Sequence, residues 1–492
     1  MNLLKKIPFF LFLLPVFFCL HGGLEDFGVI SLSEVLVIGF YICVALSILF
    51  LLLLTVTKNK LHASVITFYI GLLYLFFGAL QDWLNDKALL SFLGKYSVLL
   101  PVLLISIFGL AWFLKRNPAA YKKLFLYLNI LLIIYCLLDA GLLLNRVTGN
   151  AKKGSTGISF NYEKVKAKPN VYYLLFDEYP GYKSLQSEFG FRNDSLYDFL
   201  QHQGFTILPT YSNYNFTIFS MSSIFNMRYV DDDYNHDHEL TDQRDFRRRF
   251  NEIKNADVFA IYKSMGYQVE NYSVFDVGNQ PCINADKSFL PVHSRVLTTK
   301  MFHNRLRKHI GWWFYKTPFQ NIFVKKEAIY QADETNRDIE RMVKESLLKK
   351  SSKPTFCYAH LIMPHSPYFR DSTGALIYED KERGINLTDT RYFLTYLKYT
   401  NTVIRSLVNQ IVQHDSSAIV VIMSDHGFRD YNHHKELHLP SFDNICAVRF
   451  PGNNLLPYKD SWSTVNFFRY MFNCTYNQQI PYLKDSTIWL NY

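Results

Sequence analysis

The chain has 492 residues, 49% of them hydrophobic and 17% aromatic, and its 52 Lys and Arg outweigh 42 Asp and Glu to give a net charge of +10. That length is too great for one ordinary core, so at least two structural units are expected. The positive balance needs no nucleic acid to explain it once the placement of the basic residues is considered.

Residues 7–22, 34–57, 64–84, 96–114 and 124–144 are nearly free of charge. Each is roughly long enough to cross a hydrocarbon core of about 30 Å, and they predict five transmembrane helices over residues 1–145. The first would also suit a signal peptide, with Lys5 and Lys6 flanking a short apolar run. No small-residue cleavage site follows it, so a retained anchor is expected. Basic residues lie at Lys5 and Lys6, then at Lys58 and Lys60, then at Lys115, Arg116, Lys122 and Lys123, while the alternate connections HGGLEDFG and QDWLNDK are acidic or mixed. The excess of Lys and Arg in cytoplasmic loops places the amino terminus in the cytoplasm and everything beyond about residue 146 outside an inner (plasma) membrane. Part of the +10 is thus topology, and the rest suits an anionic membrane surface or a phosphate-bearing substrate.

Residues 146–169 are rich in Gly, Ser and Lys without a sustained period, as expected of a linker. From 170 to 492 apolar strands alternate with helical stretches, which predicts a three-layer α/β/α domain with a mostly parallel sheet. Strands are expected at 171–176, 205–210, 267–274, 355–363, 418–424 and 444–450, and helices at 193–203, 217–226, 255–265, 327–349, 389–414 and 462–473. Cys357 and Cys446 fall in apolar strand-like runs and read as buried thiols. Cys282 and Cys474 fall in loop-like sequence where a pair is allowed. Between about 295 and 326 Arg and Lys interleave with Trp312, Trp313, Phe314 and Tyr315, which suits either a membrane headgroup layer or a helix with a solvated basic face.

Two strands stand out. Ala418–Met423 is an unbroken apolar run ending in Ser424-Asp425-His426-Gly427, and Val171–Phe176 ends in Asp177-Glu178. Parallel strands buried on both faces read as continuous Val/Ile-rich runs, and in open α/β sheets the chemistry sits at their carboxyl ends. Asp177, Asp425 and His426 are therefore candidate ligands of a divalent cation. Thr217 opens a predicted helix with apolar positions at Ile218, Met221, Ile224 and Phe225. Unpaired N–H groups and the helix dipole there favour a negative oxygen, so its hydroxyl is a candidate nucleophile beside the cation. His360 ends a strand and His365 sits between Pro364 and Pro367, where either could act as general acid or steady an oxygen. Of His433, His434 and His438, the first two read as a solvated loop.

The Asp177 strand end, the Thr217 helix start, the His360-x4-His365 pair and the Asp425-His426-Gly427 turn together resemble the sulfatase-like branch of the alkaline phosphatase superfamily. Five spans followed by an exported domain look like the lipid A phosphoethanolamine transferases and the lipoteichoic acid synthases of that branch. In the former, the nucleophilic Thr precedes a Ser by three positions and a Phe by eight, as with Ser220 and Phe225, and a further His lies twelve after the His of the turn, where His438 falls. Ser463-Thr-Val-Asn-Phe-Phe also resembles a helix start common in sulfatase domains. The resemblance implies that Asp177, Thr217, Asp425 and His426 bind Zn²⁺ or Mn²⁺, and that His360, His365 and His438 handle phosphate or a second ion.

The departures are specific. No C/S-x-P-x-R stretch surrounds Thr217, which disfavours sulfate ester cleavage. Tyr214-Asn215-Phe216 stands where the phosphoethanolamine transferases carry a Cys, and lipoteichoic acid synthases use Glu at the position of Asp177. The expected activity is transfer of a phosphoethanolamine- or phosphoglycerol-like headgroup from a phospholipid donor to an extracytoplasmic (periplasmic) glycan or lipid acceptor, through a phosphothreonine at Thr217. The alternative is a hydrolase of phosphoric or sulfuric esters that uses water as acceptor.

Overall fold

The computed structural model describes residues 3–27, 30–151, 158–230, 238–239, 243–284, 293–310, 331–349, 351–378, 385–429, 440–452, 455–459 and 461–491. Trp312, Trp313, Phe314 and Tyr315, and likewise His433, His434 and His438, lie outside these. The chain forms two compact units, Met1–Ser155 with Asp286–Lys326, and Thr156–Ala285 with Glu327–Tyr492.

The first unit is helical: α1 (Phe10–Glu25), α2 (Leu32–Thr57), α3 (Lys60–Leu75), α4 (Phe77–Asn85), α5 (Tyr96–Arg116) and α6 (Ala120–Ala151). Each of the five expected spans has a helical counterpart, but they are not equivalent. Three described helices are long and apolar enough to cross a membrane alone, within α2, α5 and α6. The first, α1, has only 16 residues, about 24 Å at 1.5 Å per residue. Its inner face is buried at Phe10 and Leu14, and α6 supplies its missing partners: buried Asn129 accepts from the Phe10 amide at 2.8 Å and donates to the carbonyls of Leu4 and Ile7.

The expected third span is broken. α3 and α4 meet at a 55° bend at Phe76. The amide of Gly78 donates to the carbonyl of Lys300 at 2.8 Å, so an outside carbonyl takes a donor that a continuous helix would use internally. Only glycine permits that approach, because a Cβ at 78 would lie 2.6 Å from the Lys300 oxygen. Lys300 lies between two short helices, Ser294–Thr298 and Phe302–Ile310, which dock on this bundle. Arg305 grips Asp82 through two bonds of 2.9 and 2.6 Å, His293 meets Glu34 at 2.9 Å, and His303 stacks on Tyr74. Of the two readings open for the basic segment, the described part is a helical pair packed on protein.

The second unit holds a six-stranded sheet built from β1 (Val171–Phe176), β2 (Thr206–Ile207), β3 (Gln268–Tyr272), β4 (Thr355–Leu361), β5 (Ile419–Met423) and β6 (Cys446–Arg449). Their order is β2-β6-β5-β1-β4-β3; β5, β1, β4 and β3 run parallel, and β6 alone runs against them, antiparallel to both β5 and β2. The expected 205–210 strand is two short pieces, Thr206–Ile207 and Thr210–Tyr211, because the second leaves to pair with Asp443–Asn444 and Trp462–Ser463.

Alternate side chains of β1 and β4 enter two separate cores, which is the three-layer arrangement. Tyr173, Leu175 and Tyr358 pack with the Thr217–Asn226, Asp257–Ser264 and Phe467–Tyr476 helices. Tyr172, Leu174, Cys357 and Ala359 pack with the Gln331–Leu348 and Phe393–His414 helices. Two helices went unforeseen, Tyr182–Phe189 and Gln243–Lys254. The expected 462–473 helix starts late, at Phe467, because Trp462–Ser463 joins the small sheet. Cys357 and Cys446 are buried; Cys282 and Cys474 are both free thiols, and Cys474 sits in the Phe467–Tyr476 helix, not in a loop.

Candidate metal centre and nucleophile

Register delivers the acids to one edge. Leu175 of β1 pairs with His360 of β4 on one side and with Met423 of β5 on the other. Two positions beyond that register, Asp177 and Asp425 therefore leave the sheet at the same carboxyl end. The turn after β1 is forced: Glu178 is buried with φ +61°, a left-handed conformation costing a non-glycine residue roughly 1–2 kcal/mol. It lets the Glu178 amide donate to Asp425 Oδ1 at 3.1 Å. Past β5, Ser424 accepts from the Tyr179 amide at 2.9 Å and donates to the His426 carbonyl at 2.6 Å, while Asn444 donates to the Ser424 carbonyl. Gly427 is required, since a Cβ there would fall 2.0 Å from the Pro440 oxygen and 2.4 Å from that of Asp443.

Thr217 begins its helix as the sequence pattern predicts, Thr217–Asn226. The Ser220 hydroxyl donates to the Tyr214 carbonyl at 2.7 Å and ties down the incoming loop. Phe225, two turns on, lies edge-on to Tyr358 at 5.0 Å and beside Tyr173 at 5.8 Å, which fixes the helix on the sheet. The Thr217 hydroxyl arrives 3.3 Å from His426 Nε2. That nitrogen is 3.3 Å from Asp425 Oδ2 and 3.9 Å from Asp177 Oδ1.

Ligand atoms of Asp177, Asp425 and His426 lie within 4.8 Å of one another, all three residues buried. Asp177 Oδ1 and Asp425 Oδ2 are buried without a hydrogen-bond partner, and so is His360 Nε2, 3.7 Å from Asp177 Oδ2. Buried polar atoms are almost always satisfied, and unsatisfied carboxylate oxygens turned toward a neutral imidazole are what a divalent cation would complete. His426 is neutral: burial and then the Arg429 charge push it down to about 3, and the Gly427 carbonyl, 2.7 Å from its Nδ1, leaves Nε2 as the ligand atom. Burial and then the Asp177 charge push Asp425 up to about 6. Burial works against Asp177 too, but the charges of His365 and then His360 outweigh it and hold that carboxyl well below its usual range.

The structure thus brings Asp177, Thr217, Asp425 and His426 together, with His360 beside Asp177 and its Nδ1 2.9 Å from the Tyr358 hydroxyl. His365 stands one layer out, its Nε2 3.5 Å from Glu178 Oε2. Burial would lower the His365 pKa, but the charges of Asp177 and Glu178 raise it on balance. Sequence reasoning missed the roles of Glu178 and Arg429. The Arg429 amide donates to Glu178 Oε1 at 2.8 Å, and its guanidinium lies 3.7 Å from the same oxygen and 3.3 Å from His365 Nε2.

Residues 189–459, more than half of the chain, match the sulfatase family model. No curated protein sequence matches the chain. Among solved structures, it is similar to the zinc complex of the periplasmic domain of EcEptC from Escherichia coli (12% identity, 66% of this chain and 86% of that one, TM-score 0.39). It is similar also to a Bacteroides thetaiotaomicron protein of glycosaminoglycan metabolism (14% identity, 64% and 74%, TM-score 0.39) and to the phosphonate monoester hydrolase of Agrobacterium radiobacter (12% identity, 65% and 76%, TM-score 0.39).

Proposed function

The chain belongs to the sulfatase family, and on that premise we propose that it is a membrane phosphotransferase that moves a phosphoethanolamine- or phosphoglycerol-like group from a phospholipid to an extracytoplasmic glycan or lipid. The observation that carries the reading is the 3.3 Å approach of the Thr217 hydroxyl to His426 Nε2, beside the unsatisfied oxygens of Asp177 and Asp425. Asp177, Asp425 and His426 would hold a Zn²⁺ or Mn²⁺ ion, whose Lewis acidity would lower the pKa of a nearby hydroxyl and offset charge on phosphoryl oxygens.

Thr217 Oγ, its proton already lost to solvent at the half-buried helix start, attacks phosphorus as an alkoxide, and the bond from phosphorus to the diacylglycerol oxygen breaks. That oxygen takes a proton from His365, so the products are diacylglycerol and a phosphothreonine diester. The acceptor hydroxyl then gives its proton to His365 and attacks the same phosphorus, breaking the bond to Thr217, whose oxygen departs as the alkoxide that began the cycle. His360, beside Asp177, orients that carboxylate. His438 lies outside the described residues and remains a second candidate for the proton step.

The apolar helices suggest a membrane anchor, which suits a lipid donor. Support for the orientation comes from Ser294–Thr298 and Phe302–Ile310, which contain no span and lie in sequence between β3 and β4. They meet the bundle at Glu34, Tyr74, Gly78 and Asp82. Along α2 and α3 these are the ends opposite Lys58 and Lys60, so basic connections face the cytoplasm and the catalytic part faces out. Mass spectrometry of the purified full chain tests the chemistry. A phospho-alcohol adduct on Thr217, absent from Thr217→Ala, is expected, and its mass names the donated group. Turnover of lipid by Thr217→Ala at the wild-type rate would end the reading.

A further inference from the structure

The loop that carries Thr217 into its helix is tied to a segment 275 positions away. Asn215, only 3% exposed and two residues before Thr217, spends its whole carboxamide on one backbone residue. It donates to the Leu490 carbonyl at 3.0 Å and accepts from the Leu490 amide at 2.9 Å. Asn213, also buried, donates to the Ser486 carbonyl at 2.8 Å, and its own carbonyl accepts from the Ile488 amide at 2.8 Å. Tyr214 bridges Ile488 in the parallel sense. Residues 486–491 therefore run beside 213–215, and the contacts fall at alternate positions, 486, 488 and 490, as an extended chain requires. The same segment ends by pairing Leu490–Asn491 with His238–Glu239.

This strap also reaches the support of the metal-facing turn. The Trp489 ring lies steeply against that of Phe442, centres 6.1 Å apart. The Phe442 carbonyl accepts from the Ser212 amide at 2.8 Å, where the nucleophile loop begins, and the neighbouring Ser441 carbonyl accepts from the Gly427 amide at 2.9 Å, next to His426. The usual local device for fixing a helix start is missing here: Phe216 holds the N-cap position of Thr217–Asn226, and no side chain caps its first amides. Apart from the Ser220 bond to Tyr214, the placement of that start falls to bonds from outside the helix. A carboxamide that takes both an amide and a carbonyl replaces a rung of a sheet ladder, and the single methylene of Asn fixes its reach.

We propose that residues 486–491 form a strap that sets the reach of the Thr217 hydroxyl, with Asn215 as the positioning residue through which it acts. Held at Asn213 and Asn215, that hydroxyl stands 3.3 Å from His426 Nε2, aligned for attack; released, the helix keeps its packing but its first residue drifts. The strap rests on the phosphotransferase reading and assigns that site a determinant outside the Asp177, Asp425 and His426 trio.

The test uses the full chain in detergent, loaded with Zn²⁺, and bis(4-nitrophenyl) phosphate as a phosphodiester probe. The Thr217 alkoxide displaces one 4-nitrophenolate, read by absorbance, and the second ester stays in the phosphothreonine diester. Asn215→Leu, similar in shape but unable to bond to Leu490, is expected to slow this first release roughly 10- to 100-fold, the scale of a displaced reacting atom. The half-saturating probe concentration is expected to stay within about 2-fold of wild type, with bound metal unchanged. A role in stability alone would lower the melting temperature and leave the rate per metal-loaded molecule at the wild-type value. Asn215→Gln, which keeps the carboxamide, is expected to recover part of the loss. A wild-type rate in Asn215→Leu overturns the strap. If Asn215→Leu does not fold, Asn215→Ser decides: a loss of about 5-fold or more at unchanged metal content supports the strap, and an unchanged rate overturns it. Wild-type protein that loads metal but releases no nitrophenolate overturns the phosphotransferase reading. The strap is then decided by absorption of the Co²⁺-loaded proteins: an Asn215→Leu spectrum shifted from wild type toward that of Thr217→Ala supports it, and any other spectrum overturns it.

Discussion

Replacing Asp425 by Asn has a consequence opposite to that of most buried-site substitutions: the metal-free protein becomes more stable. Ligand oxygens of Asp177 and Asp425 lie within 4.8 Å of each other, and two unit charges at that distance repel by about 3.5 kcal/mol at an effective dielectric constant of 20. The Asp425 carboxyl, pushed from 3.8 to about 6, gives a consistent figure of about 3 kcal/mol at neutral pH, at about 1.36 kcal/mol per pH unit. The sign follows from linkage. A carboxyl raised by folding costs stability above its folded value, and the cost fades as pH falls from about 6 to about 4. The Asp425→Asn substitution removes the cost, so thermal melts of the chelator-treated full chain at pH 7.5 are expected to rise by roughly 5 °C over wild type, with the gain shrinking toward pH 4. Added Zn²⁺ or Mn²⁺ is expected to stabilise wild type and leave the variant unmoved, because a neutral amide is a poor replacement ligand. A chelator-treated variant that melts below wild type, or one that metal still stabilises fully, would refute this account of the acid pair.

Two further outcomes test separate parts of the structure. Gly427→Ala drives a methyl group into the Pro440 and Asp443 carbonyls, so it is expected to cost about 1–3 kcal/mol and to displace His426 enough to lower bound metal, read by melting and metal analysis together. For topology, Lys58→Cys and Lys87→Cys both place thiols at exposed positions; a membrane-impermeant reagent applied to intact cells is expected to label position 87 and spare 58, and the reverse pattern overturns the orientation.

The convergence of Asp177, Thr217, Asp425 and His426 was legible because its two acids end apolar runs that central parallel strands produce, and because Thr217 opens a helix whose apolar spacing is plain. Arg429 and Glu178 were not legible in the same way. They pair across 251 residues, and nothing local in Phe428-Arg429 distinguishes a site residue from a solvated turn. The strands β2 and β6 were placed but not their antiparallel pairing, since their apolar content reflects burial and not the sense of the chain. The third span looked continuous because Phe76 and its neighbours carry no proline; the break comes from a carbonyl more than two hundred positions away. Cys474 looked like loop sequence because the Asn and Thr beside it are weak helix formers, and packing of Phe468 and Phe472 overrides them.

That distant carbonyl ties assembly to synthesis. Lys300 is made long after the bundle's third hydrophobic stretch, so its contact with Gly78 forms only once the chain has been extended past β3. The bundle therefore waits, one wall unfinished, for a piece of chain that arrives with the sheet-bearing half. A truncation that begins at residue 170 inherits the opposite problem: Leu297 and Met301, buried against the bundle in the intact protein, would enter water without cover. Cutting this chain at its apparent seam leaves each fragment holding something that belongs to the other.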